Sequence, residues 1–177
     1  MGYLTKLFGP KNRPLPESIQ KMEQLTHLAA GALLFMLMED VGVDKTKDQT
    51  ERERLGIRAG YQAHLLMGEP LSKPEYRNLA SKAEALNAAV FMEKNPLMME
   101  LVIQTLRVRN TIHFAKYGEP SEPLIGEEVL ESYGSRVSQE PDPDNYAALV
   151  QKVIDSMSDI GKARMYDNFL KDIDLAN

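Results

Sequence analysis

The chain has no cysteine among its 177 residues. Disulfides, zinc–thiolate centres and thiol catalysis are thereby excluded. The absence fits a reducing compartment, so the expected location is cytoplasmic. Long hydrophobic runs are lacking too. The longest extends from Leu28 to Met38, about half of the roughly 20 residues that cross a bilayer. It reads as the centre of a buried helix. The opening MGYLTKLFGP has no secretory apolar region or small-residue cleavage site. Lys6 stands where a myristoylation motif needs Ser or Thr.

The signatures of catalysis are missing as well. There is no Gly-x-x-x-x-Gly-Lys-Ser/Thr loop, no Gly-x-Gly-x-x-Gly, no Gly-x-Ser-x-Gly and no His-Glu-x-x-His. Asp159-Ile-Gly-Lys162 lacks the strand and first glycine of a phosphate loop. No carboxylate is placed by sequence beside a second one in an apolar run, so no acid–base pair stands out. An enzyme is not the expectation, and no cofactor is implied.

What is present is a globular composition, 43% hydrophobic and 27% charged. The net charge of −5 is unevenly spread. Residues 1–118 carry 16 basic and 13 acidic groups, net +3, whereas residues 119–177 carry 5 and 13, net −8. Such a step marks a change of role and argues against nucleic acid as a partner of the C-terminal part.

Helical periodicity dominates. Ile19, Met22, Thr26, Ala29, Leu33 and Leu37 recur at 3–4 spacing and predict a helix over 17–40, with Pro16 before it and Gly42 as its stop. From Leu28 its every side is apolar, which marks the central helix. A second helix is predicted over 48–67, with Gly56, Gly60 and Ala63 as a small-residue stripe for a close crossing. A third is predicted over 73–94, opened by the capping pattern Ser72-Lys73-Pro74-Glu75. The fourth spans 96–117 with Asn95 as N-cap. Leu97, Leu101, Val108, Ile112 and Ala115 form its apolar face, and Glu100, Gln104, Arg107 and Thr111 its polar face.

Residues 118–126, GEPSEPLIG, form the clearest linker. A short helix at 127–133 precedes one beginning at Asp142-Pro143 with the stripe Tyr146, Val150, Val153 and Met157. A last helix from Asp159 carries Ile160, Tyr166, Phe169, Leu170 and Ile173, with Gly161 as the kink or break. No strand is predicted.

The expected fold is all-α: an antiparallel helical bundle of about four long helices with a C-terminal helical hairpin. It divides into an N-terminal arm (1–16), a bundle core (17–118) and an acidic C-terminal segment (119–177) packed on that core. In the arm, Tyr3, Leu4, Leu7 and Phe8 lie at helical spacing before a proline-rich stretch. They suit packing back on the domain, or weak contact with a partner or membrane.

The three histidines are His27, His64 and His113. In an up-and-down bundle His64 and His113 fall at one end, near the level of Glu23, with His27 a turn above. Glu23, His27, His64 and His113 are therefore the candidate metal ligands. The sequence lacks the Glu-x-x-His of bundle metal proteins. Segments His64–Pro70 and His113–Pro120 end alike, as helices closed by Gly-x-Pro do.

Lys45, Lys47, Arg52, Arg54 and Arg58 are interleaved with Asp44, Asp48, Glu51 and Glu53, the mark of an ion-paired helix face. Arg107 and Arg109 point about 200° apart on a helix. Nucleic acid is thus not an expected partner. Met36, Met38, Met67, Met92, Met98 and Met99 suit either core filling or an adaptable groove or dimer seam.

These features together imply a helical protein-interaction or regulatory module, binding a partner or itself, with the acidic C-terminal segment as contact or regulator. The alternative is a small helical enzyme or a ligand- or metal-binding protein built on Glu23, His27, His64 and His113.

Overall fold

The structure is a computed structural model, and it describes residues 14–67, 87, 90–119 and 142–171, without the side chains of 64, 65 and 67. Within these residues every regular element is helical and none is a strand. They comprise α1 (Glu17–Asp40), a 3-10 turn (Val43–Lys45), α2 (Gln49–Met67), a helical stretch at 90–94, α3 (Pro96–Tyr117), α4 (Pro143–Ser156) and α5 (Asp159–Met165). A π-helical turn, Tyr166–Leu170, closes the series. The all-α bundle expected from periodicity is the fold. The arm at 1–13, the 73–94 helix up to 86, most of the 118–126 linker and the 127–133 helix lie outside the described residues.

The hub is α1, which packs against α2, α3, α4 and α5. Its buried residues Ala29, Gly31, Ala32, Leu33, Phe35 and Leu37 fall within the apolar run. Pairings along it set the directions of its neighbours. Lys21 meets Asp144 at 2.8 Å and Glu39 meets Ser158, so α4 runs parallel to α1. Glu23 meets Lys116, so α3 runs antiparallel. Phe169 lies over Gly31, and Gly161 beside Glu39, so α5 descends along α1.

Capping fixes the helix boundaries. Asp48 accepts from the Glu51 amide at 2.7 Å, and Asp142 from the amides of Asp144 and Asn145 at 3.0 Å. Each satisfies donors that a helix start leaves unpaired. Val41 and Gly42 end α1, with Gly42 at φ +82°.

Several local expectations are corrected. Asn95 stands at the N-cap of α3 as expected, but its side chain makes no capping bond; its Nδ2 donates to the Phe91 carbonyl at 2.7 Å and closes the preceding helix. Gln104, assigned to a polar face, is buried, because α3 is enclosed on all sides from Met98 to Leu106 except at Glu100. Ala115, assigned to the apolar face, is exposed. Gly56 marks no close crossing, since a Cβ there would meet nothing within 4 Å. The small buried side of α2 is Ala59, Gly60 and Ala63.

At the C-terminal end the chain breaks at Met157, whose backbone is extended (ψ 157°), ahead of Gly161. Gly161 serves by lack of bulk: a Cβ there would lie 3.0 Å from Glu39 Oε1 and 3.2 Å from Met157. A Cβ on Gly31 would lie 2.5 Å from the Phe169 ring, which Phe35 meets edge-on at a centroid distance of 6.1 Å. Arg164 and Asp44 add a forked ion pair with contacts of 2.9 and 2.5 Å. Residues of α4 and α5, among them Tyr146, Val150, Val153, Met157 and Met165, share one core with α1–α3. Met92, Met98 and Met99 are buried in that core, Met36 and Met38 are half-buried against it, and the Met67 side chain lies outside the described residues.

Tyr146 is the largest fully buried side chain among the described residues, and its hydroxyl pairs with Thr105 Oγ1 at 2.8 Å. Burial pushes its phenol well above the ordinary tyrosine value. The folded state therefore holds this proton after the unfolded chain has lost it, and stability falls as pH rises past about 10. Tyr146→Phe strands the Thr105 hydroxyl and costs about 1–2 kcal/mol in denaturant unfolding, whereas Tyr146→Phe with Thr105→Val costs less than the single change. Equal loss in both variants contradicts the pairing.

Candidate functional site

The Glu23–Lys116 and Lys21–Asp144 pairs gather the start of α1, the end of α3 and the start of α4 at one end of the bundle. The expected level of Glu23 and His113 rests on the same geometry. Lys116 is one turn beyond His113, and its ammonium neutralises the Glu23 carboxylate. A metal ion at Glu23 competes with that ammonium. His27 is exposed one turn above Glu23. His64 lies in the last turns of α2, and its side chain is outside the described residues. Among the described residues no group of three or more His, Asp and Glu side chains converges closely enough to hold a metal.

His113 has a defined local role. Its Nδ1 lies 2.8 Å from the Glu119 carbonyl oxygen. A carbonyl only accepts, so Nδ1 carries the hydrogen. Gly118 ends α3 in the left-handed region (φ +76°), with its amide on the Phe114 carbonyl at 2.8 Å. The imidazole thus ties down the first turn after the helix and lies 4.6 Å, centroid to centroid, from the Tyr117 ring.

Beside it stand the features that the sequence did not single out. Phe114 is 59% and Tyr117 54% exposed, on the last turn of a helix whose all-round burial ends at Leu106 and whose Asn110 and Thr111 are already exposed. The signal lay in the helical wheel: Phe114 projects about 200° and Tyr117 about 140° from the buried Ile112. With His113 they form one aromatic face.

The electrostatics of this end are acidic. On the first two turns of α1, the last two turns of α3 with the residues after it, and the first turn of α4, five carboxylates face two ammonium groups. Among the described residues these are Glu17, Glu23, Glu119, Asp142 and Asp144 against Lys21 and Lys116, with the Arg109 guanidinium acting on Tyr146 of the first turn of α4. The Asp144 carboxyl is held below its ordinary value by the hydrogen bond and charge of Lys21. At the other end of the bundle the α2 charges are mutually satisfied. Arg54 and Glu51 pair at 2.6 Å, which lowers the Glu51 carboxyl, and Arg52 donates to the Thr46 carbonyl at 2.8 Å. That is an ion-paired helix face, as the alternating charges predict.

No family model, no curated protein and no solved structure matches this chain. The site is therefore read from its own chemistry. No helix among the described residues is long and apolar enough to cross a membrane. Among the described residues, this end presents an exposed aromatic pair on the last turn of α3, on the end of the bundle that also carries Glu17, Glu23, Glu119, Asp142 and Asp144.

Lys21→Met moves the Asp144 titration upward, toward the ordinary carboxylate value, as followed by side-chain NMR. The folded-state depression means that the Asp144 contribution is present at neutral pH and fades as acid protonates it. In the variant that fading begins at higher pH. An unmoved Asp144 titration shows that the pair does not persist in solution.

Proposed function

We propose that the chain is a cytoplasmic protein-interaction module whose contact surface is the aromatic, acidic end of the bundle. The observation that supports this reading is the exposure of the large aromatic side chains Phe114 and Tyr117 on the last turn of α3, whose middle, Met98 to Leu106, lies in the core. Aromatic side chains offer large contact area with few rotatable bonds, and they dominate interface energetics when desolvated. Their support is stiff: Ile112 is buried beneath them, and the Glu23–Lys116 pair ties the turn to α1.

The surrounding charge selects the partner class. A second copy presenting the same end would set net negative against net negative, which opposes a symmetric contact. A segment carrying apolar side chains flanked by Lys or Arg is complementary in both respects. The partner is accordingly a protein with a basic amphipathic segment, and its association weakens with salt because the charges are exposed.

The sequence reading gave the contact role to the acidic C-terminal segment. The docking of α4 and α5 on α1 favours a different assignment. Their buried faces are committed to the core, and Asp142 and Asp144 contribute to the acidic rim of the proposed surface.

The test is native mass spectrometry of the tagged protein from its own cells, with a Phe114→Asp/Tyr117→Asp variant alongside. A stoichiometric partner with a basic amphipathic segment is expected with the parent chain and lost at least tenfold with the variant, about 1.4 kcal/mol or more. The variant keeps the parent's helical circular dichroism and melting temperature, since both positions are exposed. Undiminished partner binding by a folded variant rejects this surface.

A further inference from the structure

The chain's own N-terminal arm has the chemistry that this surface selects. Residues 1–13 carry Lys6, Lys11 and Arg13 with no acid, net +3, and the described residues at the bundle end include the carboxylates Glu17, Glu23, Glu119, Asp142 and Asp144. They also carry Tyr3, Leu4, Leu7 and Phe8 at helical spacing. The arm joins the bundle at this same end. Gln20 Nε2 donates to the Leu15 carbonyl at 2.6 Å and fixes where the chain leaves α1.

Reach is ample. The eight residue steps from Phe8 to Pro16 span up to about 26 Å when extended. Glu23, which touches Lys116, is only about 9 Å along α1 from its first residue. Joined at so short a span, the arm meets the surface at a high effective concentration.

Resting on the partner reading above, we infer that residues 1–13 dock in cis on the Phe114–Tyr117 face and occupy the partner's site in the free protein. Tyr3, Leu4, Leu7 and Phe8 supply the apolar contact, and Lys6, Lys11 and Arg13 meet the carboxylate rim. A partner must displace the arm, so removing the arm's apolar residues raises partner affinity.

The absence of cysteine makes a single introduced label unambiguous. A nitroxide on Thr5→Cys in the full chain is read by the amide signals of residues 110–119, with residues 49–54 at the far end of the bundle as reference. Selective loss of signal at 110–119 is expected, reversed by Leu7→Asp/Phe8→Asp and weakened by Lys6→Glu/Lys11→Glu or high salt. Equal signal loss at both ends, or none, overturns the inference. So does loss that appears only when labelled chain is mixed with unlabelled isotope-enriched chain, which assigns the arm to a second copy. The two readings fail separately. An undocked arm with a Phe114- and Tyr117-dependent partner rejects the arm alone, whereas a docked arm with a partner indifferent to those residues rejects the partner surface.

Discussion

One constraint underlies the architecture: α1 has no side left for solvent over its second half, so four other helices must cover it. An apolar helix stranded in water loses on the order of 1.5–3 kcal/mol for each large side chain left exposed. The cover comes from α2 and α3 on one part of its circumference and from α4 and α5 on another. The last of these contacts is steric. Gly31 leaves a notch that the Phe169 ring fills, with Phe35 against its edge. Glu39–Ser158 and Asp44–Arg164 hold the same segment at the other end of α1. The described residues 158–169 are thereby joined to α1 by shape as well as by charge.

That closure explains where free surface remains. Once α1 is covered, the middle of α3, Met98 to Leu106, is covered with it, and exposure grows from Asn110 to the end of the helix. Phe114 and Tyr117 stand there, beside ion pairs that connect α3 to α1 and α1 to α4. The rigidity of the end follows from the core behind it, and its negative charge follows from the helix starts that meet there, where Glu17, Asp142 and Asp144 sit in first turns. Carboxylates are favoured at such positions by the helix dipole. The acidic rim is in that sense a by-product of capping, and it is available to a basic partner.

Much of the fold was legible in the sequence, because periodicity and apolar runs report burial directly. The bounds of α1, its central place and the stripe Tyr146, Val150, Val153 and Met157 on α4 could all be read from spacing. Other features needed neighbours that spacing does not name. Gln104 is polar but buried because α3 is covered on that side. Asn95 turned back to Phe91 rather than forward to α3. Gly31 looked like one small residue in an apolar run until Phe169 was placed against it. The exposed pair Phe114 and Tyr117 was hidden for the opposite reason, since aromatic residues in a helical pattern are ordinarily read as core.

The most direct test of the account is a double-mutant cycle on the Gly31–Phe169 contact, by denaturant unfolding. Alanine in mid-helix is worth up to about 1 kcal/mol over glycine when nothing obstructs it. In the parent protein that gain is opposed by the 2.5 Å approach of the Phe169 ring, so Gly31→Ala destabilises or leaves stability unchanged. In a Phe169→Ala background the obstruction is gone, and Gly31→Ala becomes stabilising. A sign reversal of this kind confirms that Phe169 closes on α1 through this notch. Equal effects of Gly31→Ala in both backgrounds contradict it.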